Sequence, residues 1–186
     1  MQVVEQVLRC TPHLSQLQAV SIQGFLVNKS PYLKGQRLAD VIAAIQVMST
    51  YKFYKLDFSG WSKRISGADS NADYWETVFT EHPEFFRLNQ EKDKVSLVWR
   101  RSHQRNFHVD KQEILTRDQI DSLPEQEKNK RISRTPLSNG DTATLISTAV
   151  DLHSRAIESE KEKRWLLPSL VTILAVFLGA IIKSWS

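Results

Sequence analysis

From Leu166 to Ile182 the chain runs through 17 consecutive residues without a charge, LLPSLVTILAVFLGAII. An apolar run of that length constrains the fold more than any other feature, because lipid or protein must cover it. As a helix rising about 1.5 Å per residue it reaches roughly 26 Å, a little short of the roughly 30 Å hydrocarbon core of a bilayer. Trp165 and Trp185 stand at its ends, where indole rings favour the headgroup boundary. Pro168 falls in its first turn, where a missing N–H costs little. A buried core helix seldom runs so far without a charge or an amide, so the run reads as one transmembrane helix over residues 165–185. Lys161, Lys163 and Arg164 precede it and only Lys183 follows. That asymmetry predicts a single-pass, tail-anchored chain with residues 1–164 in the cytosol, a bacterial inner membrane being the expected bilayer. Ala175 and Gly179, four apart, form a small-xxx-small pair through which two such helices can approach.

The remainder has ordinary globular composition. Charged residues make up 25% and hydrophobic ones 41% of the 186, which argues against wholesale disorder. The net charge of +4 suits an anionic lipid surface or a nucleic acid and selects neither. Cys10 is the one cysteine, so no intramolecular disulfide can form, and a reducing compartment suits the chain. The N-terminus lacks a basic region followed by an apolar core, so no signal peptide is expected.

Upstream of the apolar run, residues 141–164 read as a helix capped by Asp141 or Thr142. Leu145, Ala149, Leu152 and Ala156 recur at steps of four, three and four, with Ile146, Val150 and Ile157 alongside. Such a stripe serves either a self-association stalk or a helix that packs back on the body. Before it, residues 123–140 hold two prolines, Asn-Gly-Asp follows on, and Lys128, Lys130, Arg131 and Arg134 cluster without interleaved aromatics. That composition predicts a flexible linker whose cations can touch anionic lipid.

In the body, Thr11 and Pro12 can start a helix over residues 12–28. Leu38, Val41, Ile42, Ile45 and Met48 recur at helical spacing and predict an amphipathic helix over 36–50. Trp61 and Ile65 suggest a short helix over 59–65 that Gly67 ends. Trp75, Val78, Phe79 and His82 lie on one face of a third helix over 72–82, stopped by Pro83. Phe86 and Leu88 alternate with polar residues, NQEKDK bridges, and Val95, Leu97 and Trp99 alternate again, which predicts a β-hairpin. Trp61, Trp75, Phe79, Phe85, Phe86 and Trp99 are the expected core.

Three helices followed by a hairpin, with W-x-x-V-F-x-E-H-P-E-F-F-R leading into it, resemble the winged helix-turn-helix superfamily over residues 35–101. The resemblance implies an α+β fold: a small winged-helix-like cytosolic domain, a helical stalk and one C-terminal transmembrane helix. The expected parts are an N-terminal helical extension (1–34), the winged-helix-like domain (35–109), a linker (110–140), a juxtamembrane helix (141–164) and the membrane helix (165–185).

In such a domain the third helix usually enters the major groove. Here that helix offers Asp73, Tyr74, Glu76, Thr77, Thr80 and Glu81, and its three carboxylates repel phosphate. The wing carries Lys92, Lys94, Arg100, Arg101 and Arg105, the candidate contacts for a partner or a nucleic acid. No glycine-rich phosphate loop occurs, and His13, His82, His103, His108 and His153 do not stand at metal-ligand spacings. No catalytic residue, metal or cofactor is expected. The leading expectation is a non-enzymatic, membrane-anchored adaptor whose body binds a protein, with possible dimerisation through the stalk or the membrane helix. A membrane-tethered nucleic-acid-binding regulator and a membrane-perturbing effector of a defence or toxin system are the alternatives.

Overall fold

The computed structural model describes residues 29–185; within 165–185 it describes the backbone and the side chains of Thr172, Ala175 and Lys183. The expected helix over 12–28, Cys10 and His13 lie outside the described residues.

One folded unit begins at Pro31. After a 3₁₀ turn at Pro31–Leu33, helix α1 (Arg37–Thr50) forms the axis of the core. Val41, Ala44, Ile45 and Met48 are fully buried along its length, the three-and-four spacing of a helix packed on one side. Strand β1 (Leu56–Asp57) then leads directly into α2 (Phe58–Ser66). Asp57 caps α2 by accepting from the Gly60 N–H at 2.8 Å, and Gly67 closes it in the left-handed region at φ 78°. Helix α3 (Ala72–Glu81) buries Trp75, Val78 and Phe79. A hairpin follows, β2 (Phe86–Leu88) and β3 (Lys94–Leu97), and β1 pairs with β3 to give an antiparallel sheet ordered β1-β3-β2. The buried indole of Trp61 donates to the Val95 carbonyl at 2.9 Å, tying α2 to the sheet.

The chain then enters α4 (Val98–Ser102), not a continued strand. The alternation expected to carry Trp99 inward therefore ends at Leu97, and Trp99 is 41% exposed. The other five aromatics expected in the core are buried there.

Residues 103–137 fold into a second small sheet. Strands β4 (Phe107–His108), β5 (Glu113–Ile114) and β6 (Ile132–Ser133) are antiparallel in the order β5-β4-β6. Between β5 and β6 lie α5 (Arg117–Asp121), opened by a Thr116–Gln119 capping box, and α6 (Glu125–Arg131). Most of the stretch expected as a linker is thus regular structure. Burial of Ile132 and Leu137 and the bond from the Leu137 N–H to the Ser49 carbonyl at 3.0 Å hold it to the body.

Helix α7 (Asn139–Trp185) is a single 47-residue element, about 70 Å long, which joins the two helices expected separately and places Pro168 within it. Its start is fixed by Ser138 and Asp141, whose hydroxyl and carboxylate bond at 2.8 Å while the Asp141 N–H donates back at 3.1 Å. Leu145 and Ala149 are buried in the core, with Ile146, Leu152 and Ala156 packed beside them. The stripe packs back on the body.

Among the described residues no helix is long and apolar enough to cross a membrane. The expected transmembrane helix, and with it the tail-anchored topology, the cytosolic N-terminus and the inner-membrane placement, is overturned by that finding. Asp151, Arg155, Glu158 and the run Glu160–Arg164 set charge along the described part of α7, and hydrocarbon disfavours such side chains. Ala175 and Lys183 are exposed, and the side chains of Trp165, Gly179 and Trp185 lie outside the described residues. The fold class is α+β, with two small three-stranded sheets and a long C-terminal helix.

Candidate functional site

Five of the sequence's candidate residues sit in two very different environments. Lys92 and Lys94 are exposed on the β2–β3 turn, which Asn89 organises: its side-chain oxygen accepts from the N–H groups of Asp93 at 3.1 Å and Lys94 at 2.9 Å. Lys92 adopts the left-handed region at φ 57°. Glu91 and Asp93 alternate with the lysines, so the turn presents both signs of charge. Arg101 is exposed on α4.

Arg100 points the other way. It is fully buried and donates only to backbone carbonyls: Met48 at 2.9 Å, Arg134 at 2.9 Å, Thr135 at 3.3 Å, Lys52 at 3.5 Å, and Tyr51. Met48, Tyr51 and Lys52 supply carbonyls at and just beyond the C-terminus of α1, where helical carbonyls lack partners and the helix dipole is negative. Burial pushes the guanidinium down to about 10, which leaves it charged at neutral pH. Arg100 is therefore an internal clamp between residues 48–52 and residues 134–135, not a surface contact. Arg105 does related work at the end of α6, donating to the carbonyls of Ile132 at 3.1 Å and Lys128 at 3.1 Å while remaining exposed.

The two clamps create a cleft. One wall is the segment after α1, Tyr51-Lys52-Phe53-Tyr54-Lys55; the other is the end of α6 with β6. Phe53, Tyr54, Lys55, Arg105, Lys130 and Ser133 line an opening of about 280 Å³, and no carboxylate lines it. The walls are tied where the Tyr54 N–H donates to the Ser133 hydroxyl at 3.1 Å. Behind the first wall, Tyr51 packs edge-on against the buried Trp61 at 5.8 Å and meets Phe53 at a tilt of 53° and 6.1 Å, so Phe53 is braced from the core. Cations stand over the rings: Lys52 at 5.5 Å from Phe53, and Arg134 at 5.3 Å and Lys55 at 6.0 Å from Tyr54. Among the described residues Lys52, Lys55 and Lys130 form no ion pair, whereas Lys128 is held by Glu125 at 2.9 Å and Arg131 by Asp110 at 3.2 Å.

Lys55 also acts on the β2–β3 turn. The Asp93 carboxyl is held below the usual carboxylate range first by Asn89, then by Lys94, with Lys55 contributing. That places Lys55 within electrostatic reach of both features.

On α3 the polarity reverses. Asp73, Glu76, Thr77, Thr80 and Glu81 line an open depression of about 440 Å³. Glu81 is paired with Arg37 at 2.9 Å and with Lys34.

A second polar cluster lies inside. Tyr32 donates to Glu84 at 2.6 Å, the buried His82 Nδ1–H donates to the same oxygen at 3.0 Å, and His153 on α7 donates to the Tyr32 carbonyl at 3.0 Å. Burial pushes the Glu84 carboxyl up, but the bonds from His82 and Tyr32 outweigh it and hold it below its usual value. Burial and Glu84 together raise the Tyr32 phenol. This cluster fastens the 31–33 turn and α7 to the end of α3. His108, also buried, accepts from the Lys111 N–H and so turns its Nε2–H toward Glu127 at 3.3 Å. Among the described residues no group of histidines, cysteines and carboxylates could hold a metal ion.

No protein-family model, no curated protein and no solved structure matches the chain. The winged-helix resemblance suggested by element order has no relative behind it and is set aside.

Proposed function

We propose that this chain is a nucleic-acid-binding protein whose contact surface is the cleft between residues 52–55 and 130–134. The observation that carries the reading is the lining itself: lysine and arginine side chains, two half-buried aromatic rings and no carboxylate. Cations outside any ion pair supply the sequence-independent attraction for phosphates, and rings beside them suit a ligand that alternates phosphate with planar bases. Arg105 and Arg134 are spent partly on carbonyls, so Lys52, Lys55 and Lys130 are assigned the phosphate contacts, and Phe53 and Tyr54 the base-facing side. Lys92 and Lys94 on the β2–β3 turn extend the field and are assigned a minor share because Glu91 and Asp93 alternate with them.

The test is fluorescence anisotropy of the full chain with a labelled oligonucleotide over a range of salt. Replacing Lys52, Lys55 and Lys130 together by alanine should flatten the slope of log K against log salt by about 2, from about 0.7 per contact on a single strand. An unchanged slope overturns the assignment. A protein partner is the second reading, favoured by the acidic depression on α3. It predicts a basic partner whose binding is lost with Glu76→Lys and indifferent to the three lysines.

A further inference from the structure

We infer that the nucleic acid taken by this cleft is single-stranded, with an unpaired base stacked on Phe53; the inference rests on the nucleic-acid reading above. Two observations point to a single strand. The opening is about 280 Å³, at the small end of ligand sites and on the scale of one nucleotide, and a duplex cannot enter it. The rings line the opening, where they meet the flat face of a base. In a duplex those faces are already stacked on neighbouring pairs, so an aromatic platform gains nothing from them.

Phe53 is assigned the stacking platform for a structural reason. Tyr54 already carries the Arg134 guanidinium and the Lys55 ammonium near its ring, at 5.3 Å and 6.0 Å. Phe53 carries only the flexible Lys52 ammonium at 5.5 Å, which can swing to a phosphate as a base arrives. Its support by Tyr51, and of Tyr51 by Trp61, presents the ring already ordered. The ordering cost of binding is correspondingly small.

The experiment compares a labelled 12-nucleotide oligothymidylate with a 12-base-pair duplex on the full chain at one salt concentration. The single strand should bind at least about tenfold more tightly. Phe53→Leu, which keeps an apolar side chain, should weaken the single strand by about five- to 150-fold, the range of one base–aromatic stack, and leave duplex binding within about twofold. Lys55→Ala with Lys130→Ala should weaken both probes. Equal or tighter duplex binding by the unaltered chain overturns the single-strand inference while the nucleic-acid reading stands. Loss with the lysine pair but none with Phe53→Leu overturns the stacking assignment alone. Failure of both probes to bind overturns the reading beneath it. The strand preference is read on the unaltered chain, so it holds even if Phe53→Leu does not fold.

Discussion

Arg100→Ala tests whether one buried guanidinium joins the two halves of the body. Two of its bonds are 2.9 Å long, to Met48 and Arg134, and a third strong one goes to Tyr51; the contacts at 3.3 Å and 3.5 Å are weaker. Deleting the donor orphans three carbonyls, that of Met48 buried and those of Tyr51 and Arg134 partly so, at up to about 1–3 kcal/mol each. Water entering the vacated space restores part of that, so the expected loss is about 3–5 kcal/mol. In urea, with a slope of about 2 kcal/mol per molar, the midpoint should fall by roughly 1.5–2.5 M, followed by tryptophan fluorescence. Arg100→Lys keeps the charge but cannot fork to carbonyls on both sides, and should lose about half as much. Because the clamp also fixes the spacing of the cleft walls, the surviving folded fraction should bind oligonucleotide more weakly. A midpoint within about 0.3 M of the unaltered chain would refute the clamp, since partial hydration of the carbonyls leaves a loss well above that.

Two further outcomes follow from the same physics. Gly60→Ala places a Cβ 2.6 Å from the Asp57 carboxylate oxygen and 3.3 Å from Leu56. The cap must rotate away, and calorimetry should show a loss of about 1 kcal/mol, or about 2–4 °C in Tm. Glu84→Gln tests the internal latch through pH. Because the folded carboxyl lies below its ordinary value of 4.5, its contribution is present above that pH and lost as the pH falls through the lower folded value. The unaltered chain should therefore show a steeper loss of stability on acidification than Glu84→Gln. Identical acid profiles in urea melts contradict the latch.

Much of the first sheet and its helices is legible in the sequence because periodicity reports it directly. Of the run that predicts α1, Val41, Ile45 and Met48 are fully buried, and Trp75, Val78 and Phe79 predict α3. Trp99 shows where the same logic stops: alternation does not announce that the backbone turns helical after Leu97. Arg100 reads as a surface cation because its partners are backbone carbonyls brought together by folding, which no side-chain pattern records. The stretch 123–140 reads as a linker from its prolines and polar residues, yet Arg105 and the burial of Ile132 and Leu137 order most of it by tertiary contact. The apolar run 166–182 predicts a span that the described residues do not contain. One signal for the cleft is present in the chain. Tyr51 to Lys55 mixes three aromatic with two basic residues between two helices, and only its far wall, Lys130 and Arg134, depends on the fold.

Photo-crosslinking locates the contact most directly. The full chain is irradiated with an oligonucleotide carrying photoreactive thymine analogues, digested, and the modified peptide sequenced by mass spectrometry. Adducts should fall on Phe53 or Tyr54, with those on the opposite wall confined to residues 129–134. Adducts confined to α3 or to the Lys92–Lys94 turn, or none at all at saturating oligonucleotide, would contradict the cleft as the binding surface.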